Sequence, residues 1–168
     1  MEKGNHFLTA ATCLAAAGAI AYTNFPNEIN EYLPTLVDKV AFCGTYLVTT
    51  ALPDIDQGIR FIKHRTFTHS FLFLIILFIP GLLRYSLLGP FFASFHHILM
   101  DSFSAQGVAW FWPFQGYLRY EGGKSIKRGY HIRLYHSRST AESIVAILFS
   151  LLNMAIAATV LLYYFRLI

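Results

Sequence analysis

The sequence is short of charge. Of its 168 residues only 13% are Asp, Glu, Lys or Arg, against about 25% in soluble domains. Cysteine is also scarce. Cys13 and Cys43 both lie in apolar runs and form no Cys-x-x-Cys pair, so neither a zinc knuckle nor a redox motif is indicated. They read as small buried hydrophobes. There is no internal repeat and no low-complexity linker, and the length suits a single domain, residues 1–168.

Apolar residues fill the gap. Hydrophobic side chains make up 55% of the chain, and the mean hydropathy is +0.48. This combination predicts an all-α, polytopic membrane bundle of four to five transmembrane or near-spanning helices. The net charge of +4 is then a topology signal, and nucleic acid is not an expected partner.

Phe7 to Thr23 is an Ala-rich apolar run ending at Asn24-Phe25-Pro26-Asn27. It suits a closely packed span. With Lys3 before it and Ala19-Ile20-Ala21 within it, it also resembles a signal peptide; retention is expected because His6 precedes it. Val40 to Leu52, extended backwards by Leu33 to Val37, is a second run, which Pro53 should end. Thr68 or Ser70 can cap a third helix, Phe71 to Leu83, broken by Pro80-Gly81. A turn at Arg84, Gly89 and Pro90 leads to Phe91–Phe103, short for a span. Residues 104–140 are polar and basic, with interfacial aromatics Trp110, Trp112, Tyr117 and Tyr120. Ser139 and Glu142 form a capping-box pattern before the clearest span, Ile144 to Phe165.

If five helices cross or nearly cross, the polar ends alternate. All Lys and Arg except Lys39, Arg84 and Arg166 then fall on one side, which the positive-inside rule makes cytoplasmic. The N-terminus is inside and the C-terminus outside. The same arrangement gathers His6, Asp54, Asp56, His64, His69 and Asp101 on that face, with His97 one turn deeper. Charge bias carries no information about metal ligands, so the agreement is independent.

Those residues carry the chemistry. Leu52-Pro53-Asp54-Ile55-Asp56 and His64-Arg65-Thr66-Phe67-Thr68-His69-Ser70 bring two carboxylates and two outer imidazoles between apolar runs. Asp with His is a ligand set for a divalent metal; pairing of the Asp residues with Arg60, Lys63 and Arg65 is the plain alternative. His97 and Asp101 are spaced i, i+4 and share a helix face, as two ligands or as an intrahelical hydrogen bond. His96 points elsewhere and suits packing or support of a ligand. His131 and His136 fall in the basic loop. An antiparallel pair of helices between His69 and His97 should return the two imidazoles to one place, with Asp54 and Asp56 beside them.

Taken together, the Pro-Asp-x-Asp, His-Arg-x-x-Thr-His-Ser and His97-x-x-x-Asp101 runs, with Gly107 and Trp112-Pro113-Phe114, resemble the YdjM/YbcI family, inner-membrane proteins described as metal-dependent hydrolases. His6 matches an early family histidine, and the resemblance covers most of residues 6–142. Ser104 stands where the family usually has Thr, keeping the hydroxyl, and no clear Gly precedes Ser139. A weaker likeness, to all-helical zinc phospholipase C and nuclease proteins, rests on His-x-x-x-Asp alone; a matching His-x-x-x-Glu is absent.

The resulting expectation is a membrane-bound metal-dependent hydrolase acting on a lipid, lipid-linked molecule or phosphoester at the cytoplasmic face. Metal ligands would come from His6, Asp54, Asp56, His64, His69, His97 and Asp101. Zinc is the first choice, with manganese and iron also fitting. Asp54 or Glu142 would be general base, and Arg65 would hold an anionic substrate unless it pairs with Asp54 or Asp56. A membrane scaffold or regulator with a structural metal is the rival. A metal or proton transporter fits less well, because the first, second and last spans offer almost no acidic or His residues below the rim.

Overall fold

The computed structural model of the protein describes residues 3–59, 65–104, 107–114, 119–121, 124–126 and 139–165. Six α-helices carry it: α1 Lys3–Asn24, α2 Pro26–Tyr32, α3 Leu36–Val48, α4 Phe71–Leu83, α5 Gly89–Ser102 and α6 Thr140–Tyr164. The strands among the described residues form one short antiparallel ribbon, β1 Arg119–Glu121 with β2 Lys124–Ile126.

α1 and α6 run side by side in the same direction. At their N-terminal ends the Asn5 amide donates to Glu142 Oε1 at 3.0 Å. Midway, Ala16 and Ala19 pack on Ala157, where small side chains let two backbones approach closely. Near their C-terminal ends Tyr22 meets Tyr164 edge-on. Ser139 caps α6 by accepting from the Glu142 N–H, as the capping-box pattern requires. The Glu142 carboxylate reaches across to α1.

α3 opens with a full capping box between Thr35 and Asp38. Its end departs from expectation. The α-helix gives way at Thr49 to a 3-10 helix, Thr49–Gly58, that carries Pro53 inside it. A proline cannot donate an α-helical hydrogen bond, and the chain has already tightened into 3-10 geometry before reaching it. The Thr49 and Thr50 hydroxyls donate to the carbonyls of Thr45 and Tyr46. α4 starts at its Ser70 cap and runs through Pro80 without the expected break. Below Pro80 the helix continues, with the Arg84 N–H donating to the Pro80 carbonyl at 3.1 Å. α5 presses its first residue, Gly89, against α3. A Cβ there would lie 2.6 Å from the Phe42 carbonyl and 2.8 Å from the Tyr46 nitrogen.

Only α1, over Gly4–Asn24, and α6 are long and apolar enough among the described residues to cross a membrane. α3, α4 and α5 hold 13, 13 and 14 residues. That is ~20 Å each at 1.5 Å per residue, against ~30 Å of hydrocarbon. Of the four to five transmembrane or near-spanning helices expected from hydropathy, the all-helical bundle has two of spanning length among the described residues.

The helix directions sort the polar residues to the two ends. α1, α4 and α6 begin at one end, and α3 and α5 finish there, carrying His6, Glu142, His97 and Asp101. At the far end Arg84 binds Asp38 at 2.6 Å, and Lys39 donates to Asn30 at 2.7 Å. Between them lie small apolar clusters: Ala10, Tyr46 and Ala93, and Leu74, Ile98 and Val108. The lateral surface of α4 is apolar and largely exposed.

Candidate metal centre

The 3-10 segment after α3 ends in Asp54 and Asp56. A short 3-10 turn, Phe67–His69, delivers His69 just before α4. The last turn of α5 brings His97 and Asp101, stacked one turn apart. Asp54, His69, His97 and Asp101 converge, all buried, with one donor atom from each lying within 4.8 Å of the others. The His69 and His97 ring centroids are 5.4 Å apart, so the antiparallel return of α4 and α5 brings the two imidazoles together.

The hydrogen bonds behind the two imidazoles orient them. His97 Nδ1 lies 2.8 Å from the Thr50 carbonyl, which can only accept, so the proton sits on Nδ1. Nε2 then faces two carboxylates, 3.5 Å from Asp54 Oδ1 and 3.8 Å from Asp101 Oδ2. It has no hydrogen-bond partner among the described residues. His69 is held similarly. Thr68 Oγ1 donates to Asp56 Oδ2 at 2.6 Å and lies 3.1 Å from His69 Nδ1, from which it accepts. His69 Nε2 faces Asp101 Oδ2 at 3.5 Å and Asp54 Oδ1 at 3.8 Å.

These four N···O separations, 3.5–3.8 Å, are too long for hydrogen bonds. They lie close to the ~3.4 Å between two ligands at a tetrahedral angle around a zinc ion. Two imidazole lone pairs and two carboxylates aimed at one point form a donor set for a divalent cation, and the residues fit one. Without it, burial lowers the basicity of His69, but Asp101 and Asp56 outweigh burial and raise its pKa above the ordinary imidazole value. Burial pushes Asp54 up, while His97 and His69 pull harder and bring it down to about 2.

Arg65 supports this cluster from inside. It is 4% exposed and sits in the left-handed region at φ 62°, a conformation that costs a non-glycine residue ~1–2 kcal/mol. Its N–H donates to Asp56 Oδ2 at 3.0 Å and its Nη1 to Ser104 Oγ at 2.7 Å. Its Nη2 lies 3.1 Å from Asp101 Oδ2. The guanidinium is thus paired with Asp101 and is turned away from solvent. The Ser104 hydroxyl in turn donates to the Asp101 carbonyl, work that a Thr would do equally.

The remaining expected residues divide. Asp56 is beside the cluster but serves Thr68 and the Arg65 N–H. His6 is 1% exposed; its ring stacks on His97 at 3.7 Å between centroids, and its Nε2 lies 3.3 Å from Asp101 Oδ1. Glu142 is fully buried and takes the Asn5 amide. His96 faces α1, with Nε2 3.1 Å from Thr9 Oγ1. His64, His131 and His136 lie outside the described residues. Thr50 and Asn5 were not singled out from sequence, and Thr68 and Ser104 were read as a helix cap and a family hydroxyl, not as supports of the cluster. Thr68 had a signal, being the hydroxyl neighbour of His69 inside the His-Arg-x-x-Thr-His-Ser run; Thr50 acts through its backbone and had none.

Comparison with known proteins agrees with the family resemblance. The family model described as YdjM inner membrane protein matches residues 1–167, so the chain belongs to that family. No curated protein and no solved structure matches it.

Proposed function

We propose that this YdjM-family inner membrane protein is a metal-dependent hydrolase of a lipid or lipid-linked phosphoester, working at the cytoplasmic face. The observation that carries the reading is the convergence of Asp54, His69, His97 and Asp101, all buried, with one donor atom from each within 4.8 Å of the others.

Asp54, His69, His97 and Asp101 would hold the ion. A divalent cation, zinc first and manganese or iron as alternatives, supplies a Lewis acid that polarises an ester and brings the pKa of water toward ~7. The other residues act by position. Thr50 fixes the His97 tautomer. Asp56, through Thr68, fixes that of His69, the usual arrangement behind a metal-bound imidazole. Arg65 pins Asp101 and offsets its charge; in this arrangement it positions a ligand rather than holding substrate. Glu142, buried beside the N-terminus of α1, would act as general base. The cytoplasmic assignment rests on the Lys and Arg excess at this end of the chain.

One observation favours the rival. All four donors are buried, and a closed four-ligand site is the pattern of a structural metal in a scaffold or regulator. Metal analysis of the purified protein separates the readings. About one equivalent of ion should bind, lost in Asp54→Asn and His97→Ala. Hydrolysis of a chromogenic phosphodiester that disappears with the ion supports the enzyme. Tight, slowly exchanging metal without turnover on any phosphoester supports the scaffold, and no bound metal in wild type removes both.

A further inference from the structure

The turn from Trp110 to Phe114 is tied to the level of the metal cluster by backbone and side-chain bonds. The Phe71 N–H donates to the Trp110 carbonyl at 2.8 Å, and the Ala109 N–H to the Arg65 carbonyl at 3.3 Å. Trp110 Nε1 donates to Ser102 Oγ at 3.0 Å. Phe71 is two residues from His69, Ser102 is next to Asp101, and Arg65 pairs with Asp101. The turn therefore cannot rise or sink without the cluster.

Its outer surface is aromatic. Phe111 is 52% exposed and Phe114 93%. Phe111 packs on Phe71 at 5.4 Å between centroids, and Phe71 opens the exposed apolar side of α4 that continues through Leu72, Ile75, Ile79 and Leu82. One uninterrupted apolar strip thus runs from the foot of α4 to the turn. Beside the cluster, Ile55 and Ile59 are exposed as well.

The lengths of the helices say how deep this strip sits. Arg84, with its side chain 61% exposed, marks the far boundary at the foot of α4. From there α4 covers ~20 Å of the ~30 Å hydrocarbon layer. Phe71, and the turn hydrogen-bonded to it, therefore lie on the acyl side of the opposite boundary. A second measure agrees: Asn24 to His6 is ~27 Å along α1, so His6, stacked on His97, also falls within the layer.

We propose that the aromatic turn Trp110–Phe114 is embedded at the headgroup–acyl boundary of the site-side leaflet, so that the metal cluster lies below the water surface and opens toward the plane of the bilayer. The occupant of the exposed aromatic face is membrane lipid, and continuity with the bare apolar side of α4 identifies it. The consequence for substrate, that the ester attacked belongs to a molecule resident in the bilayer, rests on the hydrolase reading; the depth of the turn does not.

Trp110 and Trp112 are the only tryptophans in the chain, so indole emission reports on this turn alone. The protein is placed in nanodiscs containing phospholipids brominated either near the glycerol or near the acyl terminus, and iodide is added as the aqueous quencher. Loss of most of the emission with shallow-brominated lipid, less with the deep label and little with iodide is the expected result. Quenching by iodide without quenching by brominated lipid overturns the proposal. So does protection from both, which would place protein, such as a second copy of the chain, over the turn. Metal content and Asp54→Asn are read in the same discs. Bromolipid quenching in a wild-type protein that binds no metal removes the hydrolase reading and leaves the depth in place. Bound metal with iodide quenching does the reverse.

Discussion

His69 decides how pH acts on the cluster. In the proposed site its Nε2 would be contested by a proton and a metal ion. Asp101 and Asp56 raise its pKa when no ion is present, so the proton is held to a higher pH than on a free imidazole. Metal binding requires the neutral ring. Affinity for zinc or manganese should therefore rise with pH up to that raised pKa, level off above it, and fall as acid restores the proton. Calorimetric titration in buffers of differing ionisation enthalpy should show about one proton released per ion on the acid side. A proton count that stays at zero across that range would contradict the assignment of His69 as ligand. Thr68→Val tests the support behind the ring. It removes the hydroxyl between Asp56 and His69 while keeping the side chain's volume. Loss of such a partner typically lowers metal affinity ~10–100-fold, so the variant should bind the ion more weakly with its helix content unchanged.

At the scale of elements, the legible parts were those in which local chemistry decides. The bounds of α4, Phe71–Leu83, follow from the Ser70 hydroxyl at one end and a charged Arg84 at the other. The meeting of His69 with His97 follows from two helices joined by a turn. The 3-10 continuation of α3 was not legible, because Pro53 marks where an α-helix cannot continue but not what replaces it. Nor was the division of labour between Asp54 and Asp56. Both are carboxylates two positions apart, and only the position of Thr68 assigns one to the cluster and the other to its support. The left-handed Arg65 was hidden for the same reason, its conformation being imposed by contacts from Ser104 and Ala109 far along the chain. The contact of α5 with α3 gives a prediction of its own. A methyl group at Gly89 would meet Thr45 Oγ1 and two backbone atoms of α3, which cannot yield as a flexible side chain can. Gly89→Ala should cost ~1–3 kcal/mol, seen as a lower melting temperature in detergent. At Gly44, where nothing lies within 4 Å, the same substitution should leave it unchanged or raise it slightly through helix propensity.

The whole molecule is polarised along the bundle axis, and that polarity gives its proposed orientation a test. Because α1 and α6 run in the same direction, their N-terminal ends both lie with the metal cluster and their C-terminal ends both lie with the Asp38–Arg84 pair. If α1 and α6 both cross the bilayer in that direction, an odd number of crossings must lie between them, and we propose that α3, α4 and α5 supply them. In the sequence, Lys and Arg are concentrated in residues 53–69 and 104–140, and on the positive-inside rule we propose that the cluster end is the cytoplasmic one. The exposed Gln57 lies at that end; Tyr85, also exposed, lies at the other. With Cys13 and Cys43 replaced, a single cysteine at position 57 should resist a membrane-impermeant maleimide in intact cells and react once the cells are opened. A single cysteine at position 85 should react in intact cells. Labelling of both positions from the same side would refute the odd number of crossings, and labelling in the opposite sense would put the metal cluster on the periplasmic face, where a lipid substrate would have to be drawn from the other leaflet.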